Sequence, residues 1–292
     1  MSVLRTIFIC LILVYGVAME SYAEEKKIGP LRVGGSTTLL PIISKCANDF
    51  IEKYKTWDKV DLKLPKEDIA IFVSGGGSGF GIKSTINGTV DIGLASRDLK
   101  SKEMKLLGTY KTFLVGKDAV VIAANKDNQL VKVKKGLTND EVAKIFSGAK
   151  KTYRDVNPRL SDDEIALLVR DSGAGSAELM QKLIMRKNQI SPDALQLPSQ
   201  GALLKKLEGN TRVIGYISSG LVLSSDKLYG FALEGVEPTY KNIMEGKYSF
   251  VRPLLMVVKG ETGTAAKKFI EYVLTTGQKI VSANHYVPIL KK

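Results

Sequence analysis

The chain alternates apolar runs with segments whose apolar residues recur at helical spacing. Runs of Val, Ile, Leu and Ala, such as Ile69–Val73 and Ile165–Val169, predict buried strands. In residues 39–54 apolar side chains return every three or four positions, which predicts an amphipathic helix. Because strands and helices alternate along the whole chain, we predict α/β layers with mostly parallel sheets.

Two apolar strands have the character of connections between domains. Residues 112–125 are rich in Val, Ile and Ala, and a similar run, residues 254–258, lies near the C-terminus. A length of 292 residues allows two domains, and no low-complexity linker separates them. We therefore expect two domains joined by structured crossing strands.

Three turns that lead from a predicted strand into a predicted helix are rich in Gly, Ser and Thr: residues 34–38, 75–79 and 171–176. Glycine lets backbone N–H groups converge on one point, and a helix directs the positive end of its dipole there. The turns therefore predict an anion site.

Several side chains at these turns could complete the anion site. Thr37 or Thr38 is a natural helix cap with a hydroxyl that faces the helix start. Arg170 ends a predicted strand, and its planar guanidinium can bind an oxyanion through two parallel bonds. Ser96 and Arg97 follow another predicted strand and add a hydroxyl and a second guanidinium.

Residues 1–23 have the pattern of a cleaved export signal. Arg5 precedes an apolar stretch, residues 7–17, and small residues at Ser21 and Ala23 suit a signal peptidase. Cys10 lies inside the apolar stretch without the small neighbours of a lipid-attachment cysteine. We expect a soluble mature protein outside the cytoplasmic membrane, with Cys46 buried and unpaired.

Composition and motifs favour a binding protein over an enzyme. The net charge is +13, but the lysines are spread along the chain without interleaved aromatic residues, which disfavours nucleic acid as a partner. His285 is the single histidine, and no serine lies in a G-x-S-x-G motif. Gly76 and Gly81 have P-loop spacing, but Ile82 occupies the lysine position. We expect no catalytic residues, metal or cofactor.

Six motifs in order make the chain similar to the phosphate-binding proteins of bacterial phosphate ABC transporters, the PstS-like periplasmic substrate-binding proteins. The resemblance covers nearly all of the chain after the predicted signal. The motifs are Gly35-Ser36-Thr37-Thr38, GSGFGIKSTINGTVDIG with Ala95-Ser96-Arg97, residues 170–176, residues 213–216, residues 235–239 with 248–254, and Gly277-Gln278.

The resemblance implies a periplasmic-binding-protein-like fold of type II, in which two α/β lobes are joined by two crossing strands and enclose a ligand cleft. It implies one lobe from residues 28–117 and 250–292 and another from residues 118–249. The implied phosphate-binding residues are Thr37, Thr38, Ser78, Ser96, Arg97, Arg170, Ala174, Gly175 and Ser176.

The implied function is high-affinity binding of inorganic phosphate outside the cytoplasmic membrane. A monomer would deliver the phosphate to the membrane permease and ATPase of an ABC importer. Nucleic acid is not an expected partner.

Two departures from the family pattern bear on the ligand. The third turn of the family usually reads Gly-Ser-Gly-Thr, whereas Ala174 and Ser176 stand here and remove one hydroxyl. Some members also have an aspartate where this chain has Ser96, and that aspartate accepts the phosphate proton. Asp98 and Asp171 are candidate acceptors here.

Three alternatives stay open at this point. The chain could bind another tetrahedral oxyanion such as sulfate. It could be a phosphate sensor or surface protein on the same fold. It could be an exported phosphohydrolase, which would need a metal or nucleophile that the sequence does not offer.

Overall fold

The fold is given by a computed structural model, which describes residues 28–289. The predicted export signal, residues 1–23, and Cys10 lie outside the described residues. Within residues 28–289, no helix combines the length and apolar character that a membrane crossing requires.

The first part of the chain builds three strand–helix units and enters a long strand. The 3-10 turn Trp57–Lys59 follows the first helix. The elements are β1 (Leu31–Gly35), α1 (Leu40–Tyr54), β2 (Ile71–Gly75), α2 (Ser78–Ile86), β3 (Ile92–Ala95), α3 (Ser101–Leu107) and β4 (Tyr110–Asn125).

The middle part builds a second set of units with shorter helices. Its elements are α4 (Gln129–Val133), β5 (Gly136–Leu137), α5 (Asn139–Phe146), α6 (Tyr153–Val156), β6 (Ala166–Arg170), α7 (Gly175–Met180), a π-helical turn (Gln181–Met185), β7 (Leu195–Leu197), α8 (Gln200–Glu208), β8 (Val213–Ser218), α9 (Ser219–Ser224), β9 (Leu228–Gly230), β10 (Ala232–Leu233) and α10 (Tyr240–Met244). The last part returns through β11 (Val251–Lys259), α11 (Thr264–Leu274), α12 (Gln278–Ala283) and β12 (Val287–Pro288).

The main sheet runs through both halves of the molecule in the order β2-β1-β3-β11-β4-β8-β6-β7, with β9 and β12 also paired to β4. β1 is parallel to β2 and β3, and β6 is parallel to β7 and β8. The long strands β4 and β11 are antiparallel to their neighbours. The predicted parallel pairing therefore holds inside each half, and the antiparallel pairs come from the strands that connect the halves.

β4 and β11 are the two predicted crossing strands. β4 pairs with β11 along residues 110–119 and then with β8 along residues 120–124. Arg252 of β11 lies directly opposite Asp118 of β4. The pairing of these strands therefore places one cation and one carboxylate side by side where the chain passes from one half to the other.

Separate hydrophobic cores lie on either side of the crossing. One core combines residues 31–115 with residues 254–286, and Phe50 of α1 joins these parts because it contacts Phe269 and Tyr272 of α11 edge to face. Two further clusters use residues 119–250 and Val287. The names lobe 1, for residues 28–117 with 250–292, and lobe 2, for residues 118–249, follow the predicted division. Phe250 and Val287, which that division assigns to lobe 1, pack with the residues of lobe 2.

Cys46 lies inside the lobe 1 core. Its side chain is fully buried in α1, and burial raises the pKa of the thiol to about 12. A thiol with such a pKa carries almost no thiolate at neutral pH, so Cys46 fills space and is chemically inert.

Candidate anion-binding site

A small polar cavity lies between the lobes, where the carboxyl ends of β1, β2, β3 and β6 meet. It contains all the predicted site residues except Arg97. The lining residues are Ser36, Thr37, Thr38, Gly77, Ser78, Ser96, Arg170, Ala174, Gly175, Ser176, Gln200 and Arg252.

Lobe 1 supplies the ends of three strands, and hydrogen bonds hold their turns together. The N–H of Gly77 donates to the carbonyl of Gly35 (3.0 Å), which joins the turn after β2 to the end of β1. Gly77 has φ +88°, a conformation that favours glycine. The N–H of Ser96 donates to Oγ of Ser78 (3.0 Å), which brings the end of β3 to the start of α2.

The predicted capping role of Thr37 or Thr38 is wrong. α1 begins at Leu40 and has no side-chain cap. Both hydroxyls are instead bonded to arginines: Thr37 Oγ1 accepts from Nη1 of Arg170 (3.0 Å), and Thr38 Oγ1 accepts from Nη2 of Arg252 (3.0 Å). The two threonines therefore position the charged groups of the site.

Arg170 of β6 is the main cation of the lobe 2 wall and is 4% exposed. Its Nε donates to the carbonyl of Leu197 (2.8 Å), and its Nη2 donates to the carbonyl of Pro198 (2.9 Å) and to Oδ2 of Asp171 (3.0 Å). Burial lowers the pKa of the Arg170 guanidinium, although Asp171 opposes that effect. The guanidinium is thus fixed, and its Nη1 reaches across the cleft to Thr37.

Arg252 is a second buried cation at the cavity, and sequence analysis missed it as a site residue. Its Nε and Nη2 donate to Oδ2 of Asp118 (3.0 and 2.7 Å), and its Nη1 donates to Oγ of Ser96 (3.2 Å). The side chains of Arg252 and Asp118 are 1% and 0% exposed. An arginine within an apolar strand was the available signal, but its partner depends on the register of two strands that are distant in sequence.

Gln200 at the start of α8 was also missed. It is 2% exposed, its Oε1 accepts from the N–H of Ser218 (3.1 Å), and its Nε2 lies 3.4 Å from Oγ of Ser176. Because α8 begins at this glutamine, its side chain lies beside the turn that contains Ser176. Gln200 therefore adds an amide donor to the lobe 2 wall.

The structure places Arg97 outside the cavity. Its Nη1 and Nη2 donate to both oxygens of Glu103 (2.8 and 2.7 Å). Its Nε lies 3.0 Å from Oε2 of Glu178 in lobe 2, close enough for an ion pair but off the hydrogen-bond direction. Lys100 also pairs with Glu178 (2.8 Å). Burial acts to lower the pKa of Arg97, but the glutamates outweigh burial and raise it.

Direct contacts show that the lobes are closed over the cavity. Arg170 is bonded to Thr37 across the cleft, and the N–H of Gly79 donates to the carbonyl of Gly173 (2.9 Å). A Cβ added to Gly175 would lie 2.6 Å from Oγ of Ser96 and 2.8 Å from Oγ of Ser78. The cleft is therefore closed so tightly that only glycine fits at position 175.

The chemistry of the cavity is that of an anion receptor. Two guanidinium groups and several hydroxyls line the cavity together with the starts of α2 and α7, and the start of a helix is a favourable place for an anion. Within residues 28–289, no group of three or more His, Cys, Asp or Glu side chains could hold a metal ion.

The amino-acid sequence is similar to a known protein family and to curated relatives. The family model described as the PBP superfamily domain matches residues 20–276. The phosphate-binding protein PstS of Staphylococcus haemolyticus is 28% identical over 274 residues, which span 89% of this chain and 81% of the relative. PstS of Staphylococcus aureus strain MRSA252 is 27% identical over 277 residues, spanning 90% and 80%.

Solved protein structures are similar to the fold of this chain. One is a putative phosphate ABC transporter substrate-binding protein with bound phosphate from Clostridium perfringens, with a TM-score of 0.77, 26% identity, and coverage of 90% of this chain and 100% of that one. An ABC-type phosphate transport receptor from Vibrio cholerae has a TM-score of 0.68 at 23% identity, with coverage of 89% and 100%. These likenesses confirm the predicted periplasmic-binding-protein-like fold.

Proposed function

The chain belongs to the PBP superfamily, and we propose that it binds inorganic phosphate outside the cytoplasmic membrane and delivers it to the permease and ATPase of an ABC-type importer. The observation that carries this proposal is the closed cavity between the lobes, with Arg170 and Arg252 both buried at its wall. The similarity to proteins named for phosphate binding supports inorganic phosphate as the ligand.

Phosphate binding at this site requires lobe closure. A dianion that enters the cavity loses its water, and only several directed donors and charged partners can offset that cost. Thr38, Ser78 and Ser96 lie on lobe 1, whereas Arg170, Gly175 and Ser176 lie on lobe 2. The full donor set exists only in the closed form, so phosphate selects that form.

The same geometry favours binding over catalysis. The described lining residues include hydroxyls, amides and guanidinium groups but no histidine, cysteine, aspartate or glutamate that could act as a base toward a nucleophile. We propose a monomeric carrier that releases phosphate unchanged, with no nucleic acid partner.

Calorimetric titration of the exported protein, freed of bound anions, with phosphate tests the proposal. We expect a single site with a Kd of about 1 μM or below and a corresponding rise in thermal unfolding temperature. Arg170→Ala removes a buried charged donor and should weaken binding at least about tenfold. Arg32→Ala is the control, because Arg32 is an exposed ion-pair partner of Asp91 and does not line the cavity.

Failure of phosphate to bind, or equal phosphate affinity in Arg170→Ala and the unsubstituted protein, would contradict the proposed site. A phosphomonoester assay on the same preparation checks the alternative of a phosphohydrolase, for which we expect no turnover. Another oxyanion remains a second candidate for one reason: among the described residues that line the cavity, none is an aspartate or glutamate.

A further inference from the structure

The hydroxyl oxygens of the cavity accept hydrogen bonds from the protein itself. Oγ1 of Thr37 accepts from Arg170, and Oγ1 of Thr38 and Oγ of Ser96 accept from Arg252. Oγ of Ser78 accepts from the N–H of Ser96. A hydroxyl has a single hydrogen, and a donor bound on the lone-pair side leaves that hydrogen to point elsewhere. Oγ of Ser78 and Oγ of Ser96 also lie 3.2 Å apart, so one of these two hydroxyls donates to the other. The remaining hydroxyls are left to donate toward an anion.

The amide at the cavity has the same orientation. Oε1 of Gln200 accepts from the N–H of Ser218, so its NH₂ group faces Ser176 and the cavity. The guanidinium groups of Arg170 and Arg252 have donors only. The polar side chains of the wall thus present mainly hydrogen-bond donors, and each of these hydroxyl and amide oxygens already accepts at least one hydrogen bond within the protein.

The carboxylates near the cavity are turned away from it. Asp118 binds Arg252 through Oδ2 and accepts from Ser218 and Ser219 through Oδ1. Asp171 binds Arg170 through Oδ2 and the N–H of Gly173 through Oδ1. Asp98, the other candidate acceptor, does not line the cavity. The expected role of Asp98 or Asp171 as acceptor of a phosphate proton has no support in this geometry.

We propose, on the basis of the proposed function, that the cavity selects oxyanions by how few protons they carry. H₂PO₄⁻ has two O–H groups that need acceptors, HPO₄²⁻ has one, and sulfate has none. A buried O–H without an acceptor costs binding free energy. A wall of donors therefore favours the dianions, accepts sulfate together with HPO₄²⁻, and disfavours H₂PO₄⁻.

Groups of the protein that face the site do not confound a test by pH. Arginine keeps its charge over the range in question, so Arg170 and Arg252 stay cationic beside Asp171 and Asp118. Burial raises the pKa of Tyr216, whose hydroxyl accepts from the N–H of Arg170, to about 12. Burial also raises the pKa of Tyr286, which lies beside Ser218. His285 is exposed and does not line the cavity.

The experiment is a pair of titrations, with phosphate and with sulfate, at about pH 5.5 and about pH 8.5 and constant ionic strength. Sulfate is a dianion at both values and serves as the control for the protein. We expect sulfate affinity to be the same at both, and phosphate affinity to fall on the order of tenfold or more at the lower pH because the HPO₄²⁻ fraction falls. At the higher pH, sulfate should bind within about tenfold of phosphate and compete with it, whereas a buried acceptor would reject sulfate by roughly 10⁴-fold.

A phosphate titration that excess sulfate leaves unchanged, or a phosphate affinity that is equal at both pH values, overturns this inference while the proposed function stands. Absence of phosphate binding at either pH overturns the proposed function and the inference together. Ser96→Asp adds a carboxylate beside Arg252 and should reduce sulfate affinity at least about tenfold more than phosphate affinity. Ser96→Asn, of equal size without the charge, is the matched control.

Discussion

Two arginine–aspartate pairs differ sharply in their surroundings. Arg252 and Asp118 lie at the crossing of the strands with side chains 1% and 0% exposed, whereas Arg32 and Asp91 form an ion pair on the surface of lobe 1 with side chains 47% and 36% exposed. A buried charge without its partner is strongly destabilising, and an exposed one is solvated by water. Breaking the buried pair therefore costs more free energy of unfolding than breaking the exposed pair.

Asp118→Ala should lower the free energy of unfolding by about 3–5 kcal/mol, because it leaves the Arg252 guanidinium buried and uncompensated. Asp91→Ala is the matched control, and it should cost about 1 kcal/mol or less. Urea denaturation of both variants measures the difference. Equal destabilisation of the two variants would show that Arg252 does not depend on Asp118.

At the scale of elements, the site is built from turns that place the starts of helices around one point. The turns after β1, β2 and β6 carry most of the lining residues. Gly175, at the first position of α7, approaches Ser78 and Ser96 so closely that any Cβ would collide with them. The helix starts therefore meet only because one of them lacks a side chain.

Gly175→Ala should hold the lobes apart and weaken phosphate binding by about a hundredfold or more, while the stability of the unliganded protein changes little. The three atoms nearest to the added methyl group, outside its own helix backbone, all belong to Ser96 and Ser78 of the opposite lobe. Gly263→Ala is the control, because no atom lies within 4 Å of a Cβ at that position. Calorimetry and thermal unfolding separate the two effects, and normal affinity in Gly175→Ala would exclude the observed closure as the binding form.

The sequence predicted those parts of the site that depend on local chain geometry. The strand–turn–helix units with Ser78, Arg170 and Gly175 could be found because turn composition and apolar periodicity act over a few residues. Arg252 and Gln200 could not be predicted as site residues. The position of Arg252 depends on the register of β4 with β11, and that of Gln200 depends on the packing of α8. The sequence also does not show that Arg97 lies outside the cavity, because one of its partners, Glu178, belongs to the other lobe.

At the scale of the whole molecule, a second set of contacts joins the lobes outside the cavity. Glu178 of lobe 2 lies between Arg97 (3.0 Å) and Lys100 (2.8 Å) of lobe 1, and Glu103 holds Arg97 in place. These ion pairs are possible only when the lobes are close together. They therefore favour the closed form without touching the ligand.

Glu178→Gln should weaken phosphate binding about threefold to tenfold, since it removes the charge that Arg97 and Lys100 share across the cleft. Glu245→Gln is the control, because Glu245 pairs with Lys247 on the surface of lobe 2. Phosphate titrations at low and at high chloride check the mechanism, and the unsubstituted protein should lose more affinity with added salt than Glu178→Gln does. Identical salt dependence would remove these ion pairs from the closing equilibrium.

The return of the chain into lobe 1 sets the order in which the residues of the cores occur along the sequence. The lobe 2 cores use residues up to 250 and little beyond them, so their apolar residues are nearly all present before the chain returns to lobe 1. The lobe 1 core stays incomplete until Phe269, Ile270 and Val273 have been made and can cover Phe50 and its neighbours. The lobe that begins the chain is therefore the last to have a complete core, and a chain that ended before α11 would leave the apolar face around Phe50 uncovered.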